Sequence, residues 1–230
     1  MIEESQFQEN LRHVSEKIAR ACEECNRDKA EVTLLPVTKN WPSGIVQFCK
    51  NAGIHSVGEN RVQEALQKQS EVEGVKWELI GHLQSNKIKQ VVGRFDRIQT
   101  IDSEKLLNKL QSYAERSNLL CKILLQVNAG NDPAKYGCTL ENAEPLLEFA
   151  LECSNLQVDG LMTIAPYSPD DPTLASACFR NLRELRDRLS EKFEVNLTEL
   201  SMGMSGDLTQ AIESGSTMIR VGTALFGNRS

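Results

Sequence analysis

The 230-residue sequence lacks several features that would place it in a membrane, secreted or nucleic-acid-binding class. No apolar run approaches the roughly 18 to 20 residues needed to span a bilayer, so we expect no transmembrane helix. The start, Met1-Ile2-Glu3-Glu4-Ser5, is acidic and has no apolar signal-peptide region. The net charge of −6 contains no basic block, which argues against nucleic acid or an anionic membrane as a partner. These absences predict a cytoplasmic globular protein.

Metal-binding patterns are also missing. The seven cysteines are scattered, and the only CxxC pair, Cys22 and Cys25, has no further ligands at zinc spacing. On a helix these two residues are simply i and i+3 neighbours, so we expect them to be structural. Of the three histidines, we expect His82 to be structural, while His13 and His55 fall on predicted helix or surface stretches. The sequence therefore predicts no metal site.

A regular alternation of apolar runs and helical periodicity is present instead. The N-terminal segment predicts an amphipathic helix, whose apolar stripe is Phe7, Leu11, Val14, Ile18, Ala21 and Cys25. Eight short apolar runs follow, at 33–37, 55–58, 77–80, 97–101, 121–127, 157–162, 197–201 and 218–221. Some are continuously apolar, notably 123–125, as expected for strands that are covered on both faces.

Eight strands that alternate with helices are the count for a (β/α)₈ (TIM) barrel, an α/β fold. We predict one domain over 1–230, with an extra N-terminal helix within 1–27 packed on the barrel. A doubly wound open sheet is the alternative. Such a sheet normally has fewer strands, and no G-x-G-x-x-G follows the first strand here.

Polar residues follow every apolar run, as expected of a barrel that carries its functional groups at the carboxyl ends of its strands. In chain order they are Lys39, Glu59-Asn60-Arg61, His82, Asp102, Asn128, Thr163, Ser201 to Ser205, and Arg220 to Thr223. Glu59 and Asp102 could be paired carboxylates, or Glu59 could anchor Arg61 or a neighbouring backbone group.

The last two strand ends predict a phosphate site. Loops after strands 7 and 8 commonly bind phosphate in barrels. Ser205 is a candidate N-cap for a helix over 207–214, with Gly215 as its stop, and Ser103 is a candidate N-cap earlier in the chain. Gly222 and Thr223 open a second turn that offers close backbone approach and a hydroxyl. The alternative is that these residues serve tight turns and caps alone.

Lys39 and Arg220 suggest what the phosphate belongs to. A lysine at a barrel strand end is either a rim charge or an inward amine that reacts with an aldehyde. An arginine that faces a pyridine nitrogen only donates, so it would keep that nitrogen unprotonated and suit mild chemistry or none. An amine, an arginine and a phosphate cradle favour a phosphorylated aldehyde held as an imine.

Several motifs in order resemble the pyridoxal 5′-phosphate homeostasis proteins, the single-domain relatives of the alanine racemase barrel. The resemblance spans about 33–227 and departs mildly at Val57, Glu78 and Gly206. The matching stretches are Val37-Thr38-Lys39 with Pro42, 58–64 (GENRVQE), 79–87 (LIGHLQSNK), 126–128 (QVN), 135–137 (KYG), 160–164 (GLMTI), and 201–205 (SMGMS) through Asp207, Arg220 and Gly227.

The resemblance implies a cofactor and its ligands. It implies that pyridoxal 5′-phosphate (PLP) forms an internal aldimine with Lys39, that Arg220 faces the pyridine nitrogen, and that Asn60 lies beside the ring. Lys135 matches a family lysine with a weaker assignment, in handling or passing on the cofactor. The phosphate ligands implied are Ser205, Gly222 and Thr223.

The resemblance also implies a carrier and not an enzyme, with no catalytic residues. Alanine racemases continue into a β-domain, and a tyrosine of the partner subunit is their second proton-transfer base, whereas this sequence ends at Ser230. We therefore expect a monomer that buffers or delivers PLP, maintains vitamin B6 and amino-acid and keto-acid pools, and has PLP-dependent apo-enzymes as candidate recipients. A small PLP-dependent amino-acid racemase is the main alternative. A Schiff-base aldolase of sugar phosphates and an interaction protein with a structural cofactor also stay open.

Overall fold

The computed structural model describes residues 2–168 and 170–227, and over these ranges it contains eight β-strands and nine α-helices. The strands are β1 (Thr33–Pro36), β2 (Ser56–Glu59), β3 (Lys76–Leu79), β4 (Arg97–Ile101), β5 (Cys121–Gln126), β6 (Leu156–Met162), β7 (Glu199–Ser201) and β8 (Met218–Val221). The helices are α1 (Glu4–Glu24), α2 (Ser43–Asn51), α3 (Val62–Gln69), α4 (Ile88–Val91), α5 (Glu104–Arg116), α6 (Ala143–Leu151), α7 (Pro172–Phe193), α8 (Leu208–Glu213) and α9 (Thr223–Phe226).

The strands form one parallel sheet that curls into a barrel. Their order is β1-β8-β7-β6-β5-β4-β3-β2, and each neighbouring pair is parallel. The two ends of this sheet meet at a parallel bridge between Val37 and Gly58, where Thr38 N–H donates to the Gly58 carbonyl at 3.0 Å. The (β/α)₈ prediction is confirmed, and the open-sheet alternative is wrong.

Burial of the strands explains why their positions could be read from the sequence. Each of the eight predicted apolar runs coincides with a strand to within two residues at either end. Ile123, Leu124 and Leu125 are all fully buried because helices cover the outside of β5 and other side chains fill the barrel inside. A continuous apolar run is therefore the pattern that this fold requires.

Helix α1 packs against the two short helices that follow β7 and β8. Phe7 stacks on Phe226 with ring centroids 5.6 Å apart, and Asn10 donates to the Leu225 carbonyl at 2.9 Å. After the helix, Arg27 Nη1 donates to the carbonyls of Ile212 and Ser216, each at 2.8 Å. The predicted stripe is buried at Phe7, Val14, Ile18 and Ala21 and only partly covered at Leu11 and Cys25. The N-terminal segment thus supports the end of the chain that carries the predicted phosphate loops.

Two predicted helix caps need correction. Ser103 does precede α5, but its side chain has no capping partner among the described residues. Ser205 is not the N-cap of α8, because the helix begins at Leu208 and Asp207 takes that position. Asp207 Oδ1 accepts from Met204 N–H at 2.6 Å, which closes the turn before the helix and leaves Ser205 in that turn. Gly215 follows the helix at φ +95°, as the predicted stop requires.

The remaining sequence predictions concern cysteines and membranes. All seven cysteines are free thiols, and Cys25 Sγ donates to the Ala21 carbonyl at 3.0 Å, in keeping with a structural role for the CxxC pair. Within residues 2–168 and 170–227, no helix combines the length and the apolar character that a membrane crossing needs.

Candidate functional site

A cavity of about 540 Å³ opens at the carboxyl ends of the strands, and we call it the mouth pocket. Its volume is in the range of small-molecule sites, about 300 to 1,000 Å³. Its lining mixes apolar side chains with a few polar and charged ones, which suits a ligand that has both a ring and an anionic group. The lining residues are Val37, Lys39, Trp41, Asn60, Ile80, Ile164, Tyr167, Met204, Ser205, Gly206, Arg220, Gly222, Thr223 and Gly227.

All six residues that the sequence predicts as cofactor ligands line this one pocket. They come from the ends of four strands: β1, β2, β7 and β8. Parallel strands in a closed barrel end at the same rim, so residues far apart in sequence meet there. The six are Lys39, Asn60, Ser205, Arg220, Gly222 and Thr223. The structure brings them together, while their individual roles toward a ligand stay predictions.

The backbone on the N-terminal side of Lys39 is held by a buried ion pair. Lys68 Nζ donates to Glu59 Oε1 at 2.6 Å and to the Thr38 carbonyl at 2.7 Å. Thr38 Oγ1 donates to the same Glu59 oxygen at 2.6 Å. Glu59 is fully buried and Lys68 is 4% exposed, so these bonds form away from water. Burial raises the pKa of Glu59, and the hydrogen bonds from Lys68 and Thr38 oppose that shift.

The backbone on the other side of Lys39 is tied to the same cluster. Lys68 Nζ also donates to Glu64 Oε1 at 2.8 Å, and that oxygen accepts the backbone N–H of Asn40. Asn40 has φ +58°, a left-handed conformation that asparagine tolerates better than most residues. Both peptide neighbours of Lys39 are therefore fixed by one lysine and two carboxylates, which we call the Lys68 clamp.

Arg220 is the buried cation of the mouth pocket. It is 4% exposed, and its guanidinium is oriented by two bonds, Nη1 to Ser201 Oγ at 2.8 Å and Nη2 to the Thr163 carbonyl at 2.8 Å. Burial lowers the pKa of Arg220 to about 10, and the charges of Asp207 and Glu78 oppose the shift. The guanidinium therefore stays protonated at neutral pH and acts only as a donor.

The loops after β7 and β8 are joined by Ser205. Its hydroxyl oxygen accepts the backbone N–H of Ala224 at 3.3 Å, so its own proton stays available for a second acceptor. Gly203 is needed for the packing of this turn, because it has φ +97° and a Cβ there would lie 2.5 Å from the Cβ of Ala211. Burial raises the pKa of Asp207, and its bond from Met204 N–H opposes the shift.

Two glycines at the rim of the barrel, Gly81 and Gly222, differ in whether the protein itself requires a glycine at that position. A Cβ at Gly81 would lie 2.1 Å from the backbone oxygen of Asn60, so glycine is required for the strand end that carries Asn60 to approach. A Cβ at Gly222 would meet only Val37, at 3.4 Å and beyond, which is ordinary contact. The protein itself therefore does not require glycine at 222, and the space beside it faces the pocket.

Several polar residues at the strand ends lie outside the lining of the mouth pocket. Glu59 and Asp102 have separate partners: Glu59 belongs to the Lys68 clamp, and Asp102 Oδ2 lies 3.9 Å from His82 Nδ1. His82 stacks on Tyr136 with centroids 4.1 Å apart, which fits a structural role. Lys135 precedes that tyrosine in the loop after β5 and does not line the pocket.

Sequence reasoning missed other residues of the site. Trp41 and Tyr167 line the pocket, and Tyr167 is 88% exposed at its edge. Trp41 stands two residues after Lys39 and could have been considered on that ground. Lys68 carried one local signal, its i, i+4 spacing from Glu64 on α3, but its bond to Thr38 spans 30 residues and has no local signature.

Comparison with known proteins agrees with the fold. The family model "Alanine racemase, N-terminal domain" matches residues 2–230. The chain is 41% identical over 223 residues to the pyridoxal phosphate homeostasis protein of Aquifex aeolicus, covering 96% of this chain and 97% of that protein. It is 37% identical to the protein of the same name from Vibrio cholerae, covering 97% and 96%.

Solved structures give the same result. PipY of Synechococcus elongatus PCC7942, solved with PLP bound, superposes with a TM-score of 0.81 at 36% identity, over 91% of this chain and all of that one. Alanine racemase of Clostridium difficile superposes with a TM-score of 0.79 at 12% identity, over 98% of this chain and 57% of that one, and shows the fold alone. The chain therefore belongs to the pyridoxal phosphate homeostasis protein family, whose barrel is that of the alanine racemase N-terminal domain.

Proposed function

We propose that this protein binds PLP in the mouth pocket and carries or buffers it, so that it maintains the supply of the cofactor. The observation that carries the proposal is the meeting of Lys39, Arg220 and the two loops after β7 and β8 in one cavity of suitable volume. The relatives named for PLP homeostasis and the PLP-bound PipY support the choice of this cofactor.

Lys39 would hold the cofactor covalently. Its amine condenses with the aldehyde to form a Schiff base, and one water leaves. The Lys68 clamp fixes the peptide on either side of Lys39, so the amine is presented from a rigid strand end and not from a mobile loop. When it is bound, PLP supplies an electron sink in its pyridine ring.

Arg220 and the loops would set the orientation. The guanidinium stays charged, so it would donate to the ring nitrogen and leave that nitrogen without a proton. This would weaken the ring as an electron sink and fits carriage better than turnover. Ser205 and Thr223 offer hydroxyl donors to the phosphate, and Gly222 leaves room for it to approach the backbone. Asn60 lines the pocket and would lie beside the ring. We further propose a cytoplasmic monomer that passes PLP to apo-enzymes.

Reduction with borohydride tests the covalent assignment. We expect the protein incubated with PLP to show a visible absorption band, to lose it on reduction, and to carry the reduced adduct on the Lys39 peptide in mass spectra. Lys87→Ala is the matched control, because Lys87 is a partly buried lysine in the loop after β3, at the same end of the barrel but outside the pocket lining. An adduct that survives in Lys39→Ala, or that is lost in Lys87→Ala, refutes the assignment.

A further inference from the structure

A chain of four buried polar side chains crosses the inside of the barrel from the mouth pocket. Arg220 Nη1 donates to Ser201 Oγ at 2.8 Å, Ser201 Oγ donates to Gln99 Oε1 at 2.6 Å, and Gln99 Nε2 donates to Glu78 Oε2 at 2.6 Å. The four residues come from β8, β7, β4 and β3, and each is at most 4% exposed. We call this arrangement the cross-barrel chain.

Such a chain is unusual for this fold. The interior of a (β/α)₈ barrel is normally filled by branched apolar side chains, and buried polar groups destabilise a core unless they are hydrogen-bonded. Here each link is a bond of 2.6 to 2.8 Å, and the chain begins at the cation of the mouth pocket. Neither Gln99 nor Glu78 lines that pocket.

The direction of the bonds follows from Arg220, which only donates. Ser201 Oγ accepts the Arg220 N–H, so the proton of the Ser201 hydroxyl is donated to Gln99 Oε1. This fixes the amide of Gln99, whose NH₂ group then faces Glu78. Reversing the amide would place its NH₂ group against the Ser201 hydroxyl proton. The polarity of the whole chain therefore runs from the cation at one end to the carboxyl group at the other.

The carboxylate is itself held at the far end. Ser56 Oγ donates to Glu78 Oε1 at 3.2 Å, and Arg97 Nε lies 3.5 Å from Glu78 Oε2. Arg97 also lies near Asp159 and Glu199, so a fixed group of charges closes the chain at the amino ends of the strands. Glu78 thus stays in place without contact to the pocket.

We propose that Gln99 and Glu78 are positioning residues of the mouth pocket, which act through Ser201 to hold the Arg220 guanidinium toward the ring nitrogen of the bound cofactor. This inference rests on the proposed function. It goes further because it assigns part of the cofactor's environment to residues that never contact it. A hydrogen bond to a charged group is worth roughly tenfold to a hundredfold in an equilibrium constant.

The test compares Gln99→Met with Gln126→Met. Methionine keeps the side-chain length and removes the bonds to Ser201 and Glu78, together with the weaker bond from Gln99 Nε2 to Met218 Sδ at 3.2 Å. Gln126 is a buried strand glutamine whose Nε2 donates to the Tyr136 carbonyl outside the cross-barrel chain. With wild-type protein reconstituted with PLP as the reference, we expect Gln99→Met to shift the visible band and to raise the PLP Kd about tenfold. We expect Gln126→Met to leave both unchanged. Equal band positions and Kd values for the two variants overturn the inference.

Ser201→Ala is a second variant that tests the same inference, and it can be used if Gln99→Met does not fold. It breaks the same chain at its link to Arg220, so we expect the same shift of the band, and the double variant should add nothing further. In a crystal structure of cofactor-free Gln99→Met, we expect Arg220 Nη1 to lie beyond hydrogen-bonding distance from Ser201 Oγ. An unchanged Arg220 in that structure, or additive effects in the double variant, refutes the chain. Failure of the wild type to form a Lys39 adduct refutes the proposed function instead.

Discussion

Replacing Lys68 by methionine should destabilise the protein strongly, although Lys68 carries no predicted ligand contact. Lys68 is 4% exposed and donates three bonds of 2.6 to 2.8 Å, to Glu59, Glu64 and the Thr38 carbonyl. Methionine fills a similar volume without charge. The variant would leave the fully buried carboxyl group of Glu59 without its cation, and its Oε1 would keep only the Thr38 hydroxyl as a donor.

The magnitude follows from burial. Breaking a buried pair by removing one partner costs about 3 to 5 kcal/mol, a large part of the roughly 5 to 15 kcal/mol that stabilises a typical protein. At about 2 to 4 °C per kcal/mol for a chain of this size, we expect Lys68→Met to lower Tm by roughly 6 to 20 °C. Urea titration and calorimetry of the cofactor-free protein would measure both quantities.

The matched control is Lys192→Met. Lys192 Nζ also lies 2.6 Å from a carboxylate, that of Glu144, but its side chain is 52% exposed. Exposed pairs contribute about 0.2 to 1 kcal/mol, so we expect a loss no larger than that. Adding Glu59→Gln to Lys68→Met removes the buried carboxyl group that has lost its cation and should restore about 1 to 3 kcal/mol. Equal losses for Lys68→Met and Lys192→Met, or no recovery in the double variant, would show that the burial argument is wrong.

Three further predictions concern the pocket, the pH dependence and the chemistry. Gly222→Ala should change the free energy of unfolding by less than about 1 kcal/mol, yet weaken PLP binding at least about tenfold in equilibrium dialysis. Gly203→Ala should instead destabilise the cofactor-free protein by about 1 to 3 kcal/mol. A larger loss of stability in Gly222→Ala than in Gly203→Ala would contradict the phosphate assignment. Burial raises the pKa of Glu199 from 4.5, so the folded state binds the carboxyl proton more tightly than the unfolded state does, and the protein loses stability as pH rises through the folded pKa. Glu199→Gln should therefore raise the free energy of unfolding more at neutral pH than below pH 4.5. Urea titrations at both pH values would measure this difference. Deuterium exchange at the α-carbon of amino acids should be no faster than with free PLP, and faster exchange that is lost in Lys39→Ala would support a racemase instead.

Much of the fold could be predicted because a parallel barrel imposes a simple pattern on its strands. A strand covered on both faces is continuously apolar, as in 123–125, and each strand is separated from the next by a helix with its own stripe. In α7 that stripe consists of Ala175, Cys178, Phe179, Leu182 and Leu185, and all five are buried. The meeting of the six candidate ligand residues in one pocket could be predicted for the same reason, since the ends of parallel strands share one rim.

Local rules failed where a tertiary contact decided the outcome. Ser205 has good capping chemistry, but Asp207 takes the N-cap position and Ser205 instead joins the turn after β7 to Ala224 in the turn after β8. Ser103 stands at the right position without a capping bond. A sequence pattern gives the preference of a residue, and the packing of neighbouring loops selects among the bonds it could make.

The sequence by itself determined the order of strands and helices, the barrel, and which polar residues meet at its mouth. Only the tertiary structure decided what supports them: the bond from Lys68 to the Thr38 carbonyl and the bond from Ser201 to Gln99 join residues 30 and 102 positions apart. The physical reason is that periodicity records whether a side chain is buried, whereas a hydrogen bond across the barrel depends on strand register and on which inward-facing side chains share a layer. These side chains come within hydrogen-bonding distance of each other only after the sheet has closed.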